Sequence, residues 1–267
     1  MKLYIKAYSS YRSDLDDVEI KKVLKQKYKY NTRRQDEFIH LAVYGAQLLQ
    51  EKANINRDDE LYVTSGVGNI DVVQKTNTTV YENHESVKLF DFINLLGNTT
   101  SYYIASALKI KGKNIFQISD NFTFINSLIS IYASIKKSKK YAILCTIDVV
   151  SKTDEITKRV MDIDEASEVV SAVNYQQFSL DAKDALAELE FDSKSYSLSE
   201  INTFVKSTQE EVKFSFRCKA FKSEEKLHVF ETYPSYIVNS SVEVAKDLIY
   251  IDCHNDKYKI IKVKSLK

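Results

Sequence analysis

The sequence contains few of the residues that bend a backbone. It has one proline, Pro234, and five glycines among its 267 residues, and every glycine lies before position 113. Residues 113–267 therefore contain no residue that adopts a positive φ without a steric cost. This composition argues against glycine-rich ligand-binding loops in that part of the chain.

Cysteine is also scarce. Cys145, Cys218 and Cys253 are odd in number and far apart, which argues against a disulfide framework. Each lies in an apolar run, so we expect all three to be buried as small hydrophobic residues.

The sequence has no charge excess and no long apolar run. It carries 38 basic and 37 acidic residues, which argues against nucleic acid or a membrane surface as a partner. A membrane-spanning helix would need about 18 consecutive apolar residues, and the N-terminal segment lacks the apolar core of a signal peptide. We therefore expect a cytoplasmic protein with no metal site.

The most informative stretch covers residues 111–132. A short apolar run at residues 115–118 predicts a buried strand, and the run ends at Ser119, Asp120 and Asn121, which are good helix N-caps. The following apolar residues recur at helical spacing: Ile125, Leu128, Ile129 and Tyr132. Such a strand, turn and helix places one side chain at a helix N-terminus, where a nucleophile or an anion is favoured.

This stretch resembles the nucleophile turn of the β-ketoacyl synthases, which are condensing enzymes of the thiolase superfamily. Those enzymes carry the catalytic Cys nine residues after a Gly, with apolar helix residues four, seven and ten positions beyond the Cys. Counting from Gly112 gives Asn121, and Ile125, Leu128 and Ile131 follow at the same three distances. The spacing matches the family, but the nucleophile is absent.

The order of predicted elements extends this resemblance in both directions. An amphipathic helix at residues 34–53, a strand at 60–65 and a turn at Gly66-Val-Gly68 follow the order in the synthases, and residues 90–110 match the helix before the nucleophile turn. A dinucleotide-binding motif would require a third glycine at the position of Asp71, whose carboxylate would repel a pyrophosphate. We expect no cofactor.

A second set of elements begins near residue 176. The pattern predicts strands at 185–191, 212–221, 249–253 and 257–263, and helices at 197–208 and 239–248. The resemblance implies an α/β fold, namely a thiolase-like five-layered αβαβα sandwich of two similar halves. The predicted halves are residues 1–175 and an abbreviated 176–267, and they form one compact unit.

The chemistry of condensation is missing from the second half. A β-ketoacyl synthase needs a thiolate and two histidines, which the family places in His-Gly-Thr and Gly-His motifs. His228 is followed by Val229, and His254 by Asn255, so neither motif is present. We therefore expect a protein without condensing activity.

The resemblance implies a role in association instead. Synthase dimers pair the strand that precedes the nucleophile, which here comprises Ile115, Phe116, Gln117 and Ile118. A catalytically inactive relative in type II polyketide and fatty acid systems, some of which make polyenes, is the chain-length factor. It forms a heterodimer with an active β-ketoacyl synthase, contacts the acyl carrier protein indirectly, and limits the acyl tunnel. The candidate tunnel-gate residues here are Ile70, Val72, Val73, Phe90 and Phe92.

Two other hypotheses remain open. A degenerate synthase can act as a malonyl decarboxylase, in which the amide of Asn121 would bind an enolate oxygen. Alternatively, the chain is a non-catalytic scaffold that forms a homodimer.

Overall fold

The computed structural model describes residues 1–119, 121–149, 168–169, 171–215, 217–218, 220–221, 227–228 and 230–267. The strands are β1 Lys2–Arg12, β2 Glu60–Ser65, β3 Asn114–Ile118, β4 Ala142–Asp148, β5 Glu168–Val169, β6 Ala172–Ser179, β7 Ala187–Phe191, β8 Glu211–Phe214, β9 Leu227–His228, β10 Leu248–His254 and β11 Lys257–Ser265. The helices are α1 Ile20–Gln26, α2 Glu37–Gln50, α3 Ile70–Asn77, α4 Leu89–Leu95, α5 Gly97–Leu108, α6 Thr123–Ser138, α7 Leu198–Ser207 and α8 Tyr233–Glu243, with a π-helical segment at Thr78–Glu82 and a 3-10 turn at Phe230–Thr232.

Nine of these strands form one sheet in the order β3-β2-β4-β6-β1-β7-β11-β10-β8. Reading outward from the centre, the first half runs β1, β6, β4, β2 and β3, and the second half runs β7, β11, β10 and β8. The pairings also agree, because β1–β6, β4–β6, β7–β11 and β10–β11 are antiparallel whereas β2–β4 and β8–β10 are parallel. The two halves therefore repeat one topology.

The second half is the shorter one, as the sequence predicted. In the described part of the chain, β3 has no counterpart in the nine-stranded sheet beyond β8. The helices correspond as well, since α2 and α7 each follow the first strand of a half, and α6 and α8 each precede the penultimate strand.

Three hydrophobic clusters show how the layers stack. The central cluster joins α6 and α8 to strands of both halves, with Leu128, Val238, Phe178, Leu189 and Tyr250 among its buried members. A second cluster packs α1, α2 and α5 on the other face of the first half, and a third packs α7 on the second half. The predicted five-layered αβαβα arrangement is confirmed.

The burial patterns of the strands follow from these layers. Every residue of β4 and of β6 is buried because helices cover both faces of the sheet there. The helix ends are fixed by side chains: Asp36 accepts a hydrogen bond from the Ile39 amide at 2.9 Å to start α2, and Ser197 forms a reciprocal capping box with Glu200 at α7.

The predicted single helix at residues 90–110 is wrong, because it is broken into α4 and α5 at Leu96. Leu96 has an extended ψ of 114°, and α5 starts at Gly97, where the Phe116 ring of β3 lies against the glycine. Packing on β3 therefore interrupts a periodicity that is continuous in the sequence.

The helix predicted at residues 239–248 begins six residues earlier, at Tyr233. Pro234 lies in its first turn, where the missing amide hydrogen has no helical partner to lose. The helix ends at Glu243, and Ala245 takes a φ of 52° just beyond it. The strand predicted at 212–221 likewise ends earlier, at Phe214.

The predicted division between the halves can be compared with the strands of the sheet. The boundary predicted between residues 175 and 176 falls inside β6, which pairs with β1 and β4 of the first half. We propose that the second half starts after residue 179, in the turn that leads to β7. The predicted closing hairpin of β10 and β11 is present, with Asn255 and Asp256 at φ 48° and 56° in its turn.

Candidate functional site

The turn between β3 and α6 has the strand, turn and helix geometry expected around Asn121. The Ser119 amide continues the pairing of β3 by donating to the Ser65 carbonyl at 3.1 Å, and the Thr123 hydroxyl donates to the Ser119 carbonyl at 2.6 Å. Asn121 is exposed to solvent, and Asp120 lies outside the described residues. The predicted nucleophile position thus points an amide outward.

The buried side chain of this turn belongs to Phe122, which the sequence did not single out. Phe122 is the residue before α6 and has a φ of 51°, a conformation that non-glycine residues rarely adopt. Its ring meets the His254 ring edge to face at 6.1 Å between centroids, and the Lys259 ammonium lies 5.5 Å from its centroid. A phenyl ring has neither nucleophilic nor acid–base capacity, so the inward position of this turn cannot hold an acyl group covalently.

A buried carboxylate holds the neighbouring Gly66-Val-Gly68 turn. Asp148, at the end of β4, accepts hydrogen bonds from the Ser65 hydroxyl at 2.7 Å and from the Gly66 amide at 2.8 Å. The Gly68 amide in turn donates to the Ser65 hydroxyl oxygen at 2.8 Å. Asp148 is fully buried, and that burial raises the pKa of its carboxyl to about 7.

Two more buried acids extend this site, because Glu231 lies within electrostatic reach of both Asp148 and Asp252. Glu231, in the turn before α8, forms an ion pair with Arg217 at 2.5 Å, and its side chain also contacts Thr123 at the start of α6. Burial raises the pKa of Glu231 to about 8, although Arg217 opposes the shift. Burial also raises the pKa of Asp252 on β10, and Arg217 again opposes it. We call Asp148, Glu231, Asp252 and Arg217 the buried acid cluster.

This cluster is assembled from the ends of several elements. Asp148 ends β4, Glu231 precedes α8, and Asp252 lies on β10, so the three carboxyls come from distant parts of the chain. No residue spacing in the sequence indicates this cluster. Chemically, the cluster can hold protons near neutral pH, but it contains neither a thiol nor an imidazole that could transfer an acyl group.

Because of the buried acid cluster, we expect the free energy of unfolding to fall as the pH rises. The folded protein keeps the Asp148 proton up to about pH 7, whereas the unfolded chain releases it near pH 4. The stability that this raised pKa contributes is therefore fully present below about pH 4, and it is lost as the pH rises through about 7. Between pH 5 and pH 8, Asp148 should lower the free energy of unfolding by about 2–3 kcal/mol. Urea unfolding of the wild type and of Asp148→Asn at pH 5 and pH 8 measures the part of the pH dependence that is due to Asp148.

An exposed acid gives the control for that experiment. Asp17→Asn changes a solvent-exposed carboxylate and should leave the pH dependence as in the wild type. If the unfolding free energy of Asp148→Asn fell with pH as steeply as that of the wild type, groups other than Asp148 would cause the pH dependence.

The predicted interface strand, β3, lies at the open end of the nine-stranded sheet. The Leu61 amide donates to the Lys113 carbonyl at 2.7 Å, and the Ser119 amide donates to the Ser65 carbonyl, so odd-numbered residues of β3 bond to β2. The amides of Phe116 and Ile118 therefore point away from the sheet. Ile115 packs partly against the central cluster and Phe116 partly against the second cluster, whereas Ile118 is 55% exposed.

The chain between β2 and β3 exposes an unusual number of large apolar side chains. These residues, with Ile118 of β3, are called the apolar face: Val73, Val80, Tyr81, Leu89, Phe90, Phe92, Leu96, Tyr102 and Ile118. Gly68 and Gly97 bring this segment against β3, because the Ile118 and Phe116 side chains lie directly over their α-carbons. A contiguous apolar patch marks an interaction site in soluble proteins, and this segment is the candidate for one here.

The predicted tunnel-gate residues do not share one environment. Val72 is buried, and Ile70, the first residue of α3, is half-buried. Val73, Phe90 and Phe92 belong to the apolar face, and the Phe90 ring carries the Arg34 guanidinium 4.4 Å from its centroid. Of the five predicted gate residues, one is therefore buried in the protein, one is half-buried and three are exposed on α3 and α4.

The described residues offer no cluster of His, Cys, Asp and Glu side chains that could bind a metal. Within the same ranges, no helix combines the length and the apolar character required to cross a bilayer. All three cysteines are free and buried, as predicted.

No family model matches the chain, and no curated protein sequence matches it. Solved structures do match. The ishigamide ketosynthase/chain length factor is 9% identical over 100% of both chains with a TM-score of 0.76. A β-ketoacyl synthase from Burkholderia phymatum STM815 is 8% identical over 100% of both chains with a TM-score of 0.65.

A third match is a ketosynthase (ApeO) in complex with its chain length factor (ApeC) from Xenorhabdus doucetiae. It is 12% identical over 86% of this chain and 79% of the other, with a TM-score of 0.59. At sequence identities of 8–12% the comparison shows only the fold, and that fold agrees with the repeated topology described above. The chain therefore has the thiolase-like α/β fold of ketosynthases, as the spacing from Gly112 to Asn121 indicated.

Proposed function

We propose that this protein is a non-catalytic, chain-length-factor-like subunit that binds an active β-ketoacyl synthase and shapes its acyl tunnel in type II polyketide or fatty acid biosynthesis. The observation that carries the proposal is the β3–α6 turn. It keeps the strand, turn and helix of a condensing enzyme, but it presents Asn121 outward and the Phe122 ring inward. A protein that retains this framework without a nucleophile is suited to binding rather than to chemistry.

The open edge of β3 supports the choice of partner. Its outward amides at Phe116 and Ile118 can pair with the corresponding strand of a second ketosynthase-like subunit. Ile118 of the apolar face lies on this edge strand, and Tyr102 lies on α5, which packs against β3, so we place both in the same contact. The matched structures include ketosynthases described with a chain length factor, so an arrangement of this kind exists in proteins of similar fold.

The helices α3 and α4 supply residues that can reach the partner's tunnel. Val73, Phe90 and Phe92 are exposed on the side that carries the apolar face, and Ile70 lies at the start of α3 beside the Gly66-Val-Gly68 turn. In the proposed complex these side chains limit the length of the growing acyl chain by their volume. The acyl carrier protein delivers substrate to the synthase and contacts this subunit only indirectly.

Reconstitution tests the proposal. The chain is co-expressed with each β-ketoacyl synthase encoded in the same genome, purified, and supplied with malonyl-loaded acyl carrier protein. We expect one stable heterodimer that elongates acyl chains, and no elongation by this chain alone. Carbon dioxide release by the isolated chain would support a malonyl decarboxylase instead, and a homodimer that ignores every synthase would support a scaffold.

Within the reconstituted complex, Ile70→Ala should shift the product distribution toward longer chains by about one extension unit, because it removes volume from the proposed tunnel floor. Mass spectrometry of the released products measures the shift. Val244→Ala is the matched control, since it shortens an exposed aliphatic residue at the end of α8, outside both the proposed gate and the apolar face. An unchanged distribution in Ile70→Ala would remove Ile70 from the gate.

A further inference from the structure

The turn that follows β8 brings two cysteines together. β8 runs parallel to β10 with Phe214 opposite Ile251, and the Ser215 amide continues the pairing by donating to the Ile251 carbonyl at 2.9 Å. The chain then turns, and the Cys218 amide donates back to the Ser215 carbonyl at 2.9 Å. The Cys218 thiol lies 3.6 Å from the Ile251 carbonyl oxygen, directly against β10.

Cys253 lies two residues beyond Ile251, so its side chain is on the same face of β10. Both cysteines belong to the same buried cluster in the outer core of the second half, and each thiol is the largest influence on the pKa of the other. Cys145 lies in the other half, on β4, beside Tyr175. Among the three cysteines, Cys218 and Cys253 are thus the pair arranged to react together.

We infer that Cys218 and Cys253 form a reversible disulfide when the protein meets a peroxide. The thiolate of one cysteine attacks the O–O bond of hydrogen peroxide and becomes a sulfenic acid, with release of hydroxide, which takes up a proton to give water. The second thiol then attacks that sulfur, the S–S bond forms, and a second water leaves. Two thiols are oxidised and one peroxide is reduced. A small oxidant suits this pair because both side chains are almost fully buried.

The surroundings favour Cys253 as the first to react. The hydrogen bond from the Cys218 thiol lowers the pKa of Cys253 to about 7, and the Tyr258 side chain contributes in the same direction. The nearby acids Asp252 and Asp256 oppose this effect. The same interaction raises the pKa of Cys218, so Cys218 is the resolving thiol.

The cross-link would fasten a turn that touches the buried acid cluster. Arg217, next to Cys218, is the cation paired with Glu231. Phe221, on the other side, stacks on Phe214 at 4.1 Å between centroids and meets the Tyr258 ring edge to face. Oxidation should therefore hold Arg217 beside Glu231, in the turn before α8.

Peptide mapping tests the inference on the full-length protein. The purified chain is treated with hydrogen peroxide, blocked with N-ethylmaleimide under denaturing conditions and digested. We expect a linked pair of peptides that contain Cys218 and Cys253, a fully alkylated Cys145, and complete reversal by dithiothreitol. The cross-link closes a long loop, so the melting temperature should rise by about 5 °C on oxidation.

Two variants sharpen the result. Cys145→Ser should form the same linked peptides as the wild type, and Cys218→Ser should form none and leave Cys253 as a sulfenic or sulfinic acid. Full alkylation of Cys218 and Cys253 after peroxide treatment of the wild type would overturn the inference. So would separate over-oxidation of both thiols without a linked peptide.

Discussion

Replacing Ile118 with proline is expected to weaken the binding of this chain to the proposed synthase partner by about 100-fold or more, because the substitution removes an outward hydrogen-bond donor from the edge strand. The odd-numbered residues of β3 bond to β2, so the ladder within the subunit loses nothing. The Ile118 side chain is 55% exposed, and its loss leaves no cavity in the core. Association should therefore fail while the fold survives.

Sedimentation velocity of the co-expressed pair, followed by calorimetric titration, measures the loss. Ile118→Asp tests the same position with a charge, which the contact would have to bury without a partner. Val244→Asp is its matched control, because Val244 is 69% exposed at the end of α8 in the other half. Wild-type affinity in both Ile118 variants would show that the partner binds elsewhere and that β3 is not the interface.

The part of the fold that the sequence predicted is the part set by local patterns. The strand at 60–65 and the helix after residue 121 follow from runs of apolar residues at strand and helix periods, and these local signals do not depend on distant packing. The Gly112 spacing then connected the local pattern to a fold, and the repeated strand order agrees with it.

Other features depend on contacts between distant residues. The break at Leu96 arises where α5 packs on Phe116 of β3, and the following Gly97 is only a weak local signal because a single glycine is also tolerated inside a helix. The helix start predicted at residue 239 leaves Pro234 outside the helix, although the first turn of a helix accepts proline well. In both cases tertiary packing, rather than local preference, decides the boundary.

The candidate site divides in the same way. Asn121 could be placed at the helix start by counting, but the inward direction of Phe122 depends on a positive φ that only the turn itself reveals. The buried acid cluster joins Asp148, Glu231 and Asp252, whose separation in the sequence hides their proximity. The sequence shows acidic residues within apolar runs, but it does not show that these residues are buried close to one another.

Replacing Gly112 with alanine is expected to destabilise the fold by about 2–4 kcal/mol, because the new methyl group would meet backbone atoms that cannot move independently. A β-carbon on Gly112 would overlap the carbonyl oxygen of Asp59 and lie 2.7 Å from that of Asp58. Hydrogen bonds hold both sides of this contact, from the Lys111 amide to the Arg57 carbonyl at 2.6 Å and from the Leu61 amide to the Lys113 carbonyl at 2.7 Å. The chain must therefore shift β3 away from β2 to admit the methyl group.

Gly97→Ala makes the same chemical change against a different neighbour, and urea unfolding of the two variants separates the causes. The closest atoms to a β-carbon on Gly97 are ring carbons of Phe116, at 2.5 and 2.6 Å, and a side chain can rotate away where a backbone cannot. Alanine also favours the helix that Gly97 begins, by up to about 1 kcal/mol, so its net cost should be small. Equal destabilisation by the two variants would mean that the loop before β3 is free to adjust. In that case the nine-residue step from Gly112 to Asn121 would not reflect a close approach of two backbones, and the glycine at its start would be replaceable.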